Sequence, residues 1–168
     1  MPGYDRPMDS LKDLLERMRR GAVALEEAMT GATPAEIDFT PAPGRWTIRQ
    51  ILAHLADAEV VGTDRFRRTI AEDNPTLIGY DQEAWNKHLD HARRNPADDL
   101  DLFRRLRALN SSLLDGLAPE AFERPATHTE RGRLTLLGVL EMYADHAEGH
   151  ARQIRGNREA FRARAAGG

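Results

Sequence analysis

The sequence predicts a single all-α domain built as a four-helix bundle. Three observations point there. Four stretches of about twenty residues carry apolar side chains at helical spacing. Capping, proline and glycine signals punctuate them at sensible places. No alternating strand pattern of useful length occurs in the 168 residues. That length suits one domain over 1–168, with its core at about 10–160 and short flexible ends.

The first helix is expected from Ser10 to Met29, with Ser10 and Asp13 as a capping pair and Leu11, Leu14, Leu15, Met18, Val23, Leu25 and Met29 as its apolar stripe. Gly31 to Pro34 ends it, and Phe39 to Gly44 reads as a loop. The second helix has a clearer start. Thr47 and Gln50 form a T-x-x-Q capping box with Trp46 just outside as a staple. Ile48, Ile51, Leu52, Leu55, Ala58, Val61, Gly62 and Phe66 then carry it to about Ala71. Residues Asp73 to Asn95 form a long polar connection, in which Asp81 caps a short helix through Trp85 and Leu89. Tyr80 and Trp85 serve there to pin the connection to the bundle or to cover a site mouth.

Asn95 as N-cap and Pro96 at the first helical position announce the third long helix, lined by Leu100, Phe103, Leu106, Leu109, Leu113 and Leu114. Gly116 and Pro119 close it. The fourth is expected from about Leu134 to Phe161, with Leu136, Leu137, Val139, Leu140, Tyr143, Ala147 and Ile154 in the core. Arg162 to Gly168 reads as a frayed tail. Such a set of helices packs as a bundle.

Composition narrows the function. Lys and Arg total 24, Asp and Glu 27, for a formal charge of −3, which disfavours a general nucleic-acid binder. The basic residues are 22 Arg and two Lys, and the crowd at Arg152, Arg155, Arg158, Arg162 and Arg164 reads as dipole compensation and solubility more readily than as an anion site. No run reaches the ~18 apolar residues of a membrane span, and the start Met1 to Arg6 does not resemble a signal peptide, so no membrane association and a cytoplasmic setting are expected. With no cysteine, thiolate metal sites, iron–sulfur clusters and a cysteine nucleophile are excluded.

Of six histidines, three lie in strong helices. His146 and His150 are one turn apart on one face, the spacing by which a helix offers two imidazoles to one metal. His54 lies near the apolar face of the second helix. A helical histidine is most often a surface or hydrogen-bonded core residue. Three neutral imidazoles converging would instead suit Zn, Ni, Fe or Cu with open positions for water or substrate. His88, His91 and His128 fall in polar connections and are weaker candidates. The run His146-Ala-Glu-Gly-His150 is not the metalloprotease H-E-x-x-H, and Glu148, two residues from each histidine, points away from any shared ion. The Glu-x-x-His pairs of di-iron bundles, a P-loop and G-x-S-x-G are absent. Asp57, one turn after His54, reads either as a ligand-orienting or proton-accepting group or as a surface partner of an arginine. Gln153, three after His150, reads either as a pocket residue or as a helix-end hydrogen bonder.

Trp46-Thr47 opening a helix, then Ile51-Leu52-Ala53-His54-Leu55-Ala56-Asp57-Ala58-Glu59, then Asp145-His146-Ala147-Glu148-Gly149-His150-Ala151-Arg152-Gln153-Ile154, resembles the DinB-like superfamily over about Ser10 to Arg158. Members are four-helix bundles with a three-histidine metal site. They include S-transferases of bacillithiol or mycothiol, a mycothiol-dependent maleylpyruvate isomerase, proteins assigned as metal-dependent hydrolases and many of unknown activity. The resemblance implies His54, His146 and His150 as ligands of a divalent transition metal (Zn, Ni or Fe). It implies an enzyme acting on a small-molecule substrate, foremost a transferase using a low-molecular-weight thiol, with a metal-dependent hydrolase or a non-catalytic metal-binding stress protein as the alternatives. Members often form dimers, so a homodimer is in keeping. No general base is evident beside the histidines.

Overall fold

The computed structural model describes residues 10–167. The reading of Met1 to Arg6 lies outside these residues. Every cap that the sequence announces is made. Ser10 Oγ accepts from the Asp13 amide and opens α1 (Leu11–Met29). A single turn, α2 (Pro34–Ile37), carries its own capping box through Thr33 and Glu36. At α3 (Ile48–Ala71) the Gln50 amide donates to Thr47 Oγ1 while Gln50 Oε1 accepts from the Thr47 amide at 2.9 Å. Asp81 caps α4 (Gln82–His88), and Asn95 caps α5 (Pro96–Asp115) ahead of Pro96. Thr135 caps α6 (Leu136–Ala166).

The four long helices pack in a ring, with α1 against α5 and α6, and α3 against the same two. Two apolar clusters fill the interior. One gathers Leu14, Met18, Phe66, Leu114, Val139 and Leu140. The other gathers Leu25, Ile51, Leu55, Phe103, Ala151 and Ile154. Between them lies a polar layer. Arg107 and Glu59, each 1% exposed, form a two-pronged pair at 3.0 and 2.7 Å, and Asn110 donates to Glu59 Oε1. Arg107 Nη1 and Nη2 also donate to the carbonyls of Met18 and Tyr143. Gly21 on α1 admits this layer: a Cβ there would lie 2.9 Å from Arg107 Nη1.

Three expectations need correction. The third long helix turns Arg107 and Asn110 inward to meet Glu59, so Leu109 of its expected stripe is about half exposed, and Val23 of the α1 stripe is half exposed as well. A small sheet exists although no strand was expected: β1 (Thr76–Leu77) pairs parallel with β2 (Pro125–His128), which pairs antiparallel with β3 (Gly132–Thr135). Strands of two and four residues are too short to show alternation, and β1 and β2 meet only through the fold. The fourth helix starts two residues late, because Leu134 and Thr135 belong to β3, and runs to Ala166 rather than fraying at Arg162. Arg162 and Arg158 both reach the buried carboxylate of Glu36, at 2.9 and 3.4 Å, which ties the last turns to α2. No described helix is long and apolar enough to cross a membrane.

Candidate metal centre

The capping box at Thr47 fixes where α3 begins, and so the rotational phase that turns His54 inward. His54 is 2% exposed. Across from it, α6 presents His146 and His150 on one face. The three imidazoles converge: His146 Nε2 lies 2.9 Å from His54 Nε2 and 3.1 Å from His150 Nε2. Trp46, expected as a staple, packs its ring edge-on against the His54 imidazole at 5.0 Å, while its indole N–H donates to Glu83.

Protonation follows from burial. Desolvation, then the neighbouring His150 and His91, lowers the His54 pKa to about 3. Desolvation, then His150 and His54, holds His146 well below the usual imidazole range. Desolvation also lowers His150, opposed by its hydrogen bond to Gln153. All three are therefore neutral at pH 7. Gln153 Oε1, an acceptor, sits 2.8 Å from His150 Nδ1, so that nitrogen carries the proton and the His150 Nε2 lone pair faces the cluster.

This arrangement fits a metal ion. His146 Nε2 has at most one proton to offer to two neighbouring nitrogens, and His150 Nε2 has none. At least one close N···N contact is therefore left without a full hydrogen bond until a cation sits among the nitrogens. Metal–nitrogen bonds of about 2.0–2.1 Å place neighbouring ligand nitrogens about 3 Å apart, which the observed spacings match.

The other named residues divide clearly. Gln153 touches a cluster histidine directly. Asp57 does not: its carboxylate accepts from Arg94 Nη1 at 2.7 Å and pairs with His91 Nε2 at 2.8 Å. It pins the 3-10 turn His91–Arg93 onto α3. Asp145 and Glu148, beside the histidines in sequence, are both engaged by Arg17 of α1. His88 is an exposed helix-end residue.

A cavity of about 720 Å³ opens beside the cluster, lined by His54 and His146 and, further out, by Arg65, Tyr80, His128 and Tyr143. Tyr80, stacked on Trp85 at 4.3 Å, belongs to the wall. His128, one of the weaker candidates, is buried there and accepts from the Glu130 amide through Nδ1. Tyr143 is nearly buried, and desolvation raises its pKa, so the phenol stays protonated. Its ring lies against bare backbone: a Cβ on Gly62 would fall 2.5 Å from Tyr143 Cε1. Arg65 and Tyr143 were missed as site residues. The available signal was a charge, Arg65, directly beside Phe66 on an otherwise apolar helix face.

Known proteins resemble this chain in sequence and in fold. The DinB superfamily profile matches residues 14–154. YfiT of Bacillus subtilis is 30% identical over 131 residues, covering 77% of this chain and 74% of its own. A protein of Oceanobacillus iheyensis is 32% identical over 120 residues, 71% of this chain and 69% of its own. Both carry the name "putative metal-dependent hydrolase". A solved structure of YfiT, described as a probable metal-dependent hydrolase with an unusual four-helix bundle topology, superposes with a TM-score of 0.84 at 25% identity over 96% of this chain and 93% of that one. With sequence and bundle topology in agreement over most of its length, this chain belongs to the DinB superfamily.

Proposed function

We propose that the protein is a metal-dependent hydrolase of a small molecule, with His54, His146 and His150 holding one divalent transition ion: Zn, Ni or Fe. The observation that carries this is the set of three neutral imidazoles converging at one edge of an open polar cavity. Bound there, the metal supplies Lewis acidity and a source of hydroxide near neutral pH. Gln153 holds His150 in the tautomer that ligates. Trp46 shields the edge of His54 from water. The Tyr143 hydroxyl accepts from Arg65 Nη1 at 3.3 Å, which leaves its own O–H to donate to a substrate oxygen. The cavity volume suits a small-molecule substrate. The names of the relatives support hydrolysis over thiol transfer.

The test is protein stripped with chelator, reloaded with each metal, and assayed on ester, amide and phosphoester panels. A parallel arm combines low-molecular-weight thiols with a chromogenic electrophile. Metal-dependent hydrolysis that disappears in His54→Ala, with helicity retained, supports the proposal. The variants His88→Ala, His91→Ala and His128→Ala should keep their metal. Fully loaded protein that turns over only when a thiol is supplied would replace hydrolysis by thiol transfer.

A further inference from the structure

Three arginines in the described bundle are buried: Arg65, Arg107 and Arg158. A buried guanidinium without an anion is costly, because the interior does not replace its hydration. Arg107 meets Glu59 and Arg158 meets Glu36. Arg65, 6% exposed, has no ion pair with any described carboxylate. Its Nη2 donates to the Ile78 carbonyl at 2.7 Å and its Nη1 to the Tyr143 hydroxyl at 3.3 Å, while Nε is buried with no partner. Of five N–H donors, two are used.

This cation lines the cavity beside the histidine cluster. Three of the four carboxylates that line the cavity are engaged elsewhere. Asp81 caps α4, Glu83 accepts from Trp46 and Asp145 is held by Arg17, while the fourth, Glu130, lies over Gly79 and makes no ion pair with Arg65. The field of Arg65 is felt across the cavity, since after burial it is the next influence lowering the pKa of His128.

We infer that the Arg65 guanidinium, with the Tyr143 hydroxyl beside it, is an anion-binding site for a carboxylate or phosphate group of the substrate. Its place sets the substrate's shape. Arg65 follows His54 by eleven residues on α3, about 16 Å of helix rise, and the side chain leans back toward the N-terminus to cover part of that span. The anion therefore belongs to the far end of an extended substrate, several bonds from the carbonyl or phosphoryl that reacts at the histidines. The word substrate rests on the hydrolase proposal; the anion site itself does not.

The experiment uses metal-free protein, so that no anion can ligate a metal. Inorganic phosphate and acetate are titrated separately into wild type, Arg65→Gln and His54→Ala, by calorimetry and by NMR of the arginine Nε–H resonances. Expected are saturable binding of one of the two anions to wild type, affinity roughly tenfold or more weaker in Arg65→Gln, and full retention in His54→Ala. The preferred anion tells phosphate from carboxylate. In wild type, one arginine Nε–H resonance should shift on saturation, and that resonance should be missing from Arg65→Lys. This reading holds even if Arg65→Gln fails to fold. Equal affinity in Arg65→Gln and wild type, or no saturable arginine shift with either anion, overturns the inference. Anion binding in a protein whose metal-loaded form hydrolyses nothing would leave the site standing and remove only the hydrolase reading.

Discussion

Acid should unfold the metal-free protein through its histidine cluster, and His54 sets the scale. Its pKa falls from 6.5 unfolded to about 3 folded, chiefly by desolvation. Between those values the unfolded chain binds a proton that the folded chain refuses, so stability is full above pH ~6.5 and falls as pH drops toward 3. At about 1.4 kcal/mol per pH unit, moving to pH 5 costs about 2 kcal/mol from this residue alone. That is a large share of the 5–15 kcal/mol typical of a domain. His146 and His150 shift in the same direction and add to the loss. The assay is urea unfolding at pH 7.5 and pH 5 in chelator, for wild type and His54→Gln. Other titrating groups contribute to both proteins and largely cancel in the difference. Wild type should lose about 2 kcal/mol more than the variant on acidification. Added Zn should stabilise wild type at pH 7.5 and do so less at pH 5, because protons compete for the same nitrogens. Equal acid losses in the two proteins would refute the argument that His54 is held neutral by burial.

Gln153→Leu removes the acceptor that fixes the His150 tautomer, and Zn affinity should fall about 10–100-fold by competition with a chromophoric chelator, with the helices intact. Glu59→Gln strands the Arg107 charge in the core and should cost about 3–5 kcal/mol in urea, whereas Glu59→Leu combined with Arg107→Met should recover much of it. Gly62→Ala gains about 1 kcal/mol of helix propensity but drives a methyl into the Tyr143 ring; the net result should be a loss of about 1–2 kcal/mol in urea, read against Gly156→Ala, which meets nothing and should stabilise.

Four long helices, and the starts of three of them, were legible in the sequence, because caps and apolar periodicity act within a few residues; the fourth start was missed by two residues, which β3 takes. The sequence also placed two histidines on one face of α6, since i, i+4 spacing is a property of the helix alone. The polar layer was half legible. Glu59 and Arg107 interrupt apolar stripes on two helices with opposite charge, but nothing local says that they meet. Only tertiary structure decided this, and it rotated α5 so that Leu109 faces out. Tertiary packing also brought β1 to β2 across some fifty residues, directed Asp57 to Arg94 and His91 instead of to the cluster, and left Arg65 buried beside the cavity without a carboxylate. The physical reason is common to all of these. Capping and periodicity are settled by neighbours in the chain, whereas the partner of a buried charge is settled by which helix face lies opposite, at a cost paid only once water is excluded.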